Sequence, residues 1–556
     1  MNNIEILCEN TGQRHPCPQG ETLLGLIERC KARLPHRILA ALVDHRLKAL
    51  SYAVYNPHTI RFVDISHPDG MRTYQRSLSF LLQKAVHDVA PHRTLLIKYS
   101  VLNGFYCAFN DNHVIDETLL REIEKRMREL VAADIPFTRK KCPTEEATNV
   151  FMRNNQPEKA LLHKTRGHFY TSLYGLDGYY DHFYGPLAPS TSYVKVFALS
   201  MYKDGFVVRP PHPGRPDNVA PVKVQPKLFD VFRENNEWVK IVGAHTIGNI
   251  NKLIQRGQIG EIITVSESLH ENKYAQLAEE IFLRRHDVKL VLIAGPSSSG
   301  KTTTSKRLAV QAKVLGLNPV LLEMDNYFVD REHTPRDADG NYDFEAVETL
   351  DLPFFNEQLH DLLAGKKVQI PTFDFHEGKR FFVAGKTLQV GAGDILIMEG
   401  IHGLNPRVTQ SAPDTLKYRI YASALTSVSI DENNRISTTD NRLIRRMVRD
   451  FKFRGYSASD TIMRWPSVRR GEEKHIFPFQ ENADIMFNSA LLYEMYVLRY
   501  YAVPLLLQIK PVDPAYTEAS RLLKFLHYLE PISPENEKYI CPTSVLREFI
   551  GNSIFD

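Results

Sequence analysis

The stretch GPSSSGKT, from Gly295 to Thr302, constrains this chain more than any other feature. It fits the pattern G-x-x-x-x-G-K-[ST] without a mismatch. Before it lies Lys289 to Ala294, an apolar, β-prone run that reads as a buried parallel strand. After it lies Thr303 to Gly316, with Leu308, Ala309, Ala312 and Leu315 at helical spacing and Gly316 as a stop. A glycine-bearing turn between strand and helix lets backbone N–H groups wrap an anion while the helix N-terminus points at it. Lys301 adds a point charge, and Thr302 can offer a hydroxyl to Mg²⁺. A Gly/Ser-rich turn without a ligand is the bland alternative, and the flanking strand and helix weigh against it. The pattern predicts a bound nucleoside triphosphate cradled by Gly295, Ser297, Ser298, Ser299, Gly300, Lys301, Thr302 and Thr303.

At 556 residues the chain is long enough for two to four domains, each with its own core. The net charge of +4, from 69 basic and 65 acidic residues, is too balanced to argue for nucleic acid by itself. The cysteines at 8, 17, 30, 107, 142 and 541 form no C-x-x-C pair, which argues against a zinc site or a disulfide framework. The N-terminal residues lack a basic-then-apolar signal pattern, and no apolar run of about eighteen residues occurs. A cytoplasmic protein without a membrane span is expected. The dispersed histidines form no H-E-x-x-H or close cluster.

Along the chain, residues 1–65 read as a small α+β module. Its strands are Ile4–Leu7, Ala40–Val43 and Thr59–Val63, and its helix starts behind Thr22 as a cap. Residues 66–208 form a second α+β unit, with helices at Ser77–His87, Glu117–Ala132 and from Glu145 to Arg153, and a strand at Tyr193–Leu199. Residues 209–285 hold a Pro-rich linker, Arg209 to Lys227, and a helical bridge that includes Ser266–Arg285. Residues 286–510 alternate strands and helices, as a doubly wound parallel sheet should. Residues 511–556 are an extension ending in a helix candidate, Ser544–Ile550.

The residues downstream of the loop narrow the chemistry. Pro319–Met324 reads as a second strand with Asp325 at its C-terminal edge, the edge that faces the site in an open parallel sheet. A carboxylate there can accept a proton from an attacking hydroxyl or hold Mg²⁺; capping the next turn is the plainer role. A third strand, Asp394–Met398, ends in Glu399–Gly400 and places an acid near the metal. Arg442, Arg445, Arg446 and Arg449 share one helical face, followed by Lys452 and Arg454. Such a stripe repels itself unless an anion sits there, and a triphosphate is the obvious anion. The alternative is a solvated face with Asp440 and Asp450 as partners.

Residues 290 to 510 resemble the uridine kinase and phosphoribulokinase group of P-loop kinases. The matching blocks are GPSSSGKTT, Asp325-Asn326-Tyr327-Phe328, Asn341-Tyr342-Asp343, Phe373-Asp374-Phe375, Met398-Glu399-Gly400 and RLIRRMVRDFKFRG from Arg442 to Gly455. The resemblance implies an ATP- and Mg²⁺-dependent enzyme. Asp325 would be the general base, with Lys301, Arg449 and Arg454 on the phosphates. Thr302, Glu399 and Asp325 would hold Mg²⁺. Asp343 would hold ribose hydroxyls in an acceptor pocket lined by Tyr342, Phe373, Phe375, Arg446 and Tyr456. The family's base-reading histidine, arginine and glutamine are replaced by Gly378, Tyr456 and Arg464, with His376 displaced by two places. Phosphoryl transfer is therefore retained in this reading while uridine as acceptor is not.

Residues 1–65 resemble a TGS domain through HPCPQGETLLGLI, and 66–208 the second, editing-type domain of threonyl-tRNA synthetase through QRSLSFLLQKAV, NGFYCAF, IEKRMRELVAADIPFTRK and FYGPLAPST. The two histidines of the first editing pair are replaced by Arg76 and Phe80. The later Cys and His are replaced by Phe183 and Leu187. The domain is expected to be a binding, regulatory or structural module, with RNA or a nucleotide as its ligand class and an oligomer left open. The combined expectation is a kinase for a nucleoside hydroxyl. Two alternatives stand beside it: a kinase of a sugar phosphate or another small hydroxylated metabolite, and an RNA-associated nucleotide switch. A switch needs neither Asp325 nor Asp343, which favours the enzyme.

Overall fold

Five parallel strands form the sheet on which the C-terminal half is built. Their order is Asn318–Glu323, Asp394–Glu399, Leu290–Ala294, Lys417–Ser423 and Ile485–Asn488. The computed structural model describes residues 3–111, 114–337 and 340–555. Successive side chains of a strand point to opposite faces, so each central strand must be apolar on both. On one face Leu290, Leu292, Leu322, Leu396 and Met398 pack against Phe355, Leu359 and Leu362. On the other Val291, Ile293, Ile395, Ile397 and Ile420 pack against Leu308, Tyr274, Leu277 and Ile281. Helices thus cover both faces, as the doubly wound reading requires. The helix expected at Ser266–Arg285 runs from Ile259 to Leu283, starting earlier and ending two residues sooner, and forms part of that cover.

The first module is a five-stranded sheet with the helix Leu23–Arg29, whose Thr22 cap accepts a hydrogen bond from the Gly25 N–H. In the second, the helix expected at Ser77–His87 runs from Pro68 to Val89, because His67 caps it and Pro68 fits its first turn. Glu117–Ala132 is helical as read, with Leu120, Ile123, Met127 and Leu130 buried. The strand expected at Tyr193–Leu199 is displaced to Ala198–Tyr202, behind a short 3-10 turn at Thr191–Tyr193. The Pro-rich stretch is more than a linker. It folds into a hairpin of Pro211–His212 with Arg215–Val219, and Pro226 then opens the helix Pro226–Val242. At the far end only Arg547–Ile550 is helical, a shorter helix than expected.

The four positions aligned with editing residues do come together. Phe80 lies 5.0 Å from Phe183, Arg76 Nε donates to the Pro186 carbonyl at 3.1 Å, and Leu187 is buried beside them. An aromatic cluster fills the space they enclose. Among the described residues, no helix is long and apolar enough to cross a membrane.

A buried polar lock joins the two halves. Lys159 Nζ sits 2.7 Å from both carboxylate oxygens of Asp181 and 3.1 Å from Asn433 Oδ1. The Glu158 and Lys159 N–H groups donate to the Glu432 carboxylate at 2.7 and 3.0 Å. Asp431, Glu432 and Asn433 belong to the loop after strand Lys417–Ser423, so the second α+β unit is fastened to the parallel sheet. Removing one partner of such a pair strands a buried charge. Lys159→Met should destabilise the chain by about 3–5 kcal/mol, and adding Asp181→Leu should recover most of that loss. Urea denaturation of the two variants checks both statements; a double variant no more stable than the single one contradicts them.

Candidate active site

The phosphate loop leaves the central strand at Gly295. A Cβ there would lie 1.9 Å from the Ala422 carbonyl oxygen, so only glycine allows the loop to pass this close to the next strand. Gly300 takes φ 80° and caps the helix Lys301–Val314, whose first-turn N–H groups open toward the loop. Ser298 adopts φ 59°, a left-handed conformation that costs a non-glycine residue roughly 1–2 kcal/mol.

Strand register brings the acids to the loop. Glu323 pairs with Glu399 across parallel strands, and Asp325 follows Glu323 in the short turn Met324–Tyr327. A Cβ on Gly400 would meet the Met324 side chain at 2.7 Å, so this glycine lets the strand ends close up. Thr302 Oγ1 donates to Glu399 Oε1 at 2.7 Å. Burial raises the Glu399 carboxyl to about 7; Lys301 lowers it, and Asp325 pushes it further up. Burial also raises Asp325, against the opposing pull of Lys301, Arg454 and Arg449. Two neighbouring carboxyls that each resist ionising, beside a hydroxyl, form an oxygen donor set that suits a hard dication such as Mg²⁺.

The arginine stripe lies on the helix Thr438–Arg454 and divides in two. Arg442 and Arg445 turn inward. Arg442 pairs with Glu472 and donates to the Ser297 carbonyl at 2.9 Å; Arg445 pairs with Glu494 and reaches the Ser298 carbonyl at 3.4 Å. Arg446, Arg449 and Arg454 gather around Asp450 at 3.2, 3.4 and 3.5 Å, and Arg446 Nη1 also donates to Ser297 Oγ at 3.0 Å. Glu472 and Glu494 neutralise the inward pair, whereas the single carboxylate of Asp450 only partly offsets Arg446, Arg449 and Arg454. Asp440 is no part of this, since it pairs with Arg521 at 2.7 Å. Spacing alone could not find Glu472 and Glu494, because both are distant in sequence and meet the helix only in the fold.

On the acceptor side, Asp343 faces His475 at 3.4 Å and accepts from the Glu345 N–H at 3.3 Å. Tyr342 lies beside Phe344 at 5.7 Å and under Arg336. Phe373, Phe375 and Phe328 form an edge-to-face trio, with Phe373 and Phe375 5.2 Å apart and the Arg454 guanidinium 5.6 Å from the Phe375 ring. Tyr456 is exposed and stacks with Arg464 at 4.6 Å. Gly378 takes φ 71°, and a Cβ there would meet Arg331 Nε at 2.6 Å. A side chain at this turn would be strained and would have to displace Arg331, and the His376 side chain is 96% exposed. Sequence reasoning missed Glu345, which is buried within electrostatic reach of Arg446, Lys301 and Arg442.

Residues 290–492 match the sequence model of the phosphoribulokinase / uridine kinase family. The N-terminal region matches threonine–tRNA ligases. That of Geobacter sp. (strain M21) is 28% identical over 200 residues, which are 36% of this chain and 31% of the ligase. That of Francisella tularensis subsp. tularensis (strain SCHU S4) is 28% identical over 181 residues, 33% of this chain and 28% of the ligase. This chain thus spans about three tenths of the length of these relatives. Among solved structures, a protein of Bacillus stearothermophilus described as a possible uridine kinase aligns with 18% identity and a TM-score of 0.26, over 38% of this chain and all 100% of that one. D-glycerate 3-kinase of Cryptococcus neoformans var. grubii aligns with 14% identity and a TM-score of 0.21, over 46% of this chain and 87% of that one.

Burial holds the Glu345 carboxyl up at about 7, with Glu472 adding to the rise. The folded chain therefore keeps this proton in a range where the unfolded chain has lost it. Stability from this group is complete below the unfolded value of 4.5 and is lost as the pH rises through about 7. Glu345→Gln should flatten that part of the profile, becoming more stable relative to wild type between pH 5 and pH 8, by at most on the order of 3 kcal/mol. Urea titrations across this range test it, and parallel profiles for the two proteins contradict it.

Proposed function

We propose that this chain transfers the γ-phosphoryl group of ATP to a hydroxyl of a small acceptor, and that the acceptor is a nucleoside. The observation that carries this reading is the convergence at one loop of the Thr302–Glu399 contact, Asp325, and arginines held on the facing helix. A binding switch has no use for a half-buried carboxylate poised above its ordinary range. A hydroxyl nucleophile does, because a base works best when its affinity for the proton is matched to the working pH.

In this mechanism the acceptor oxygen attacks the γ-phosphorus, its proton passes to a carboxylate oxygen of Asp325, and the bond to the β-phosphate bridging oxygen breaks. Lys301, Arg449 and Arg454 stabilise charge on the transferring group and the departing phosphate. Thr302, Glu399 and Asp325 would hold Mg²⁺, which when bound neutralises phosphate charge. Asp343 orients the acceptor hydroxyls, and Phe373 and Phe375 offer aromatic faces for a planar ring. With Gly378 in place of a base-reading histidine, base preference should be broader than, or different from, that of uridine kinases. The N-terminal modules act in this reading as binding or regulatory parts, since the aromatic cluster around Phe80 and Phe183 leaves no paired activator for hydrolysis. The free cysteines support a reducing, cytoplasmic setting.

An ATP-consumption screen across nucleosides and sugar phosphates tests the assignment. Lys301→Ala should lower turnover roughly a hundred- to a thousand-fold without loss of fold; normal turnover would remove this loop from the chemistry. Asp325→Asn should reduce transfer by a factor on the order of a hundred or more while nucleotide affinity stays within a few-fold. A collapse of affinity instead would make Asp325 a metal or structural residue.

Asp343→Ala should raise the acceptor KM sharply and leave nucleotide binding nearly unchanged. Strict selectivity for uridine and cytidine would contradict the reading of the pocket around Gly378. Turnover on a sugar phosphate alone would replace the nucleoside as acceptor.

A further inference from the structure

The first turn of the helix Lys301–Val314 is engaged from outside the nucleotide-binding region. Glu548 Oε2 accepts from the Thr303 hydroxyl at 2.8 Å and from the Thr303 N–H at 3.3 Å. This N–H belongs to the set that a phosphate loop and its helix turn toward a nucleotide's phosphates. A carboxylate bonded to it is an anion in the place of an anion. The residues around Glu548 extend the overlap. Val545 packs onto the loop so closely that a Cβ on Gly300 would come within 2.3 Å of its Cγ2. The Phe549 ring lies 4.9 Å from the guanidinium of Arg445, the arginine that also reaches the Ser298 carbonyl. Two lysines tie the segment down: Lys452, on the arginine-bearing helix, donates to the Ile550 carbonyl, and Lys306 donates to the Phe555 carbonyl at 2.9 Å.

We propose that segment 541–555 is a built-in competitor of the nucleotide, in which Glu548 on Thr303 takes the position of a nucleotide phosphate and must leave for ATP to seat fully. The inference rests on the phosphate loop being the nucleotide site, as argued above. Release is local. Val545, Leu546, Phe549 and Ile550 are buried in the largest core and anchor the segment, whereas Glu548 is partly exposed and makes its hydrogen bonds with Thr303.

Deleting the whole segment risks the core, so the decisive variant is Glu548→Ala in the full-length chain. Charge-assisted hydrogen bonds of this kind typically correspond to a ten- to hundred-fold change in an equilibrium. Isothermal titration with a non-hydrolysable ATP analogue and Mg²⁺ should show binding tighter by roughly ten-fold or more in Glu548→Ala, with an unchanged acceptor KM. Equal affinities would overturn the proposal and leave the kinase reading intact. If neither wild type nor Glu548→Ala binds the analogue, the nucleotide site itself fails, and this inference fails with it.

Discussion

The buried pairing of Arg442 with Glu472 and of Arg445 with Glu494 is the constraint on which the site depends. Each arginine is almost wholly buried and each spends a second donor on a carbonyl of the phosphate loop. Burying a guanidinium is tolerable only when its charge is met, and here Glu472 and Glu494 meet it while loop carbonyls take further donors and fix the loop against the helix. The same helix then presents Arg446, Arg449 and Arg454 around Asp450. Half of the stripe is structural so that the other half can be positioned.

That division explains how so many cations coexist within one domain. Asp450 holds Arg446, Arg449 and Arg454 in a cluster whose net charge remains positive. Burial lowers Arg449 to about 10, the mark of a cation whose surroundings incompletely repay its desolvation. Opposite it, Glu399 and Asp325 are carboxyls raised by burial. The two sides strain in opposite senses, and both would relax on receiving a metal and a polyphosphate. Strain of this kind is typical of sites prepared for a charged substrate. Segment 541–555 places a third element in the same field, an internal carboxylate already seated on the helix that follows the loop.

The N-terminal half follows a different logic. Its Lys159–Asp181 pair is sealed against Asp431 and Asn433, in a loop that extends from the end of a central strand of the parallel sheet. The editing-like domain is thus joined to the nucleotide-binding domain by satisfied buried charges as well as by apolar contact. Where hydrolytic groups would stand, Phe80, Tyr174, Tyr179, Phe183 and Leu187 form a closed cluster.

Local sequence determined three of the five parallel strands, the phosphate loop and the helix behind it, because each is specified by residues within a dozen positions of one another. Asp325 and Glu399 were legible for the same reason, as acids at the ends of apolar strands. The arginine stripe was legible as a stripe, but its meaning was not. Glu472 and Glu494 lie 30 and 49 residues away from their partners, and only the packing of helices brings them inward. Gly378 was legible as a glycine, while its left-handed backbone, set against Arg331, appeared only in three dimensions. Glu345 and Glu548 carried no local signal at all. A carboxylate acquires a raised pKa or a place on a phosphate-loop helix from neighbours that are remote along the chain, and that is decided by the tertiary fold alone.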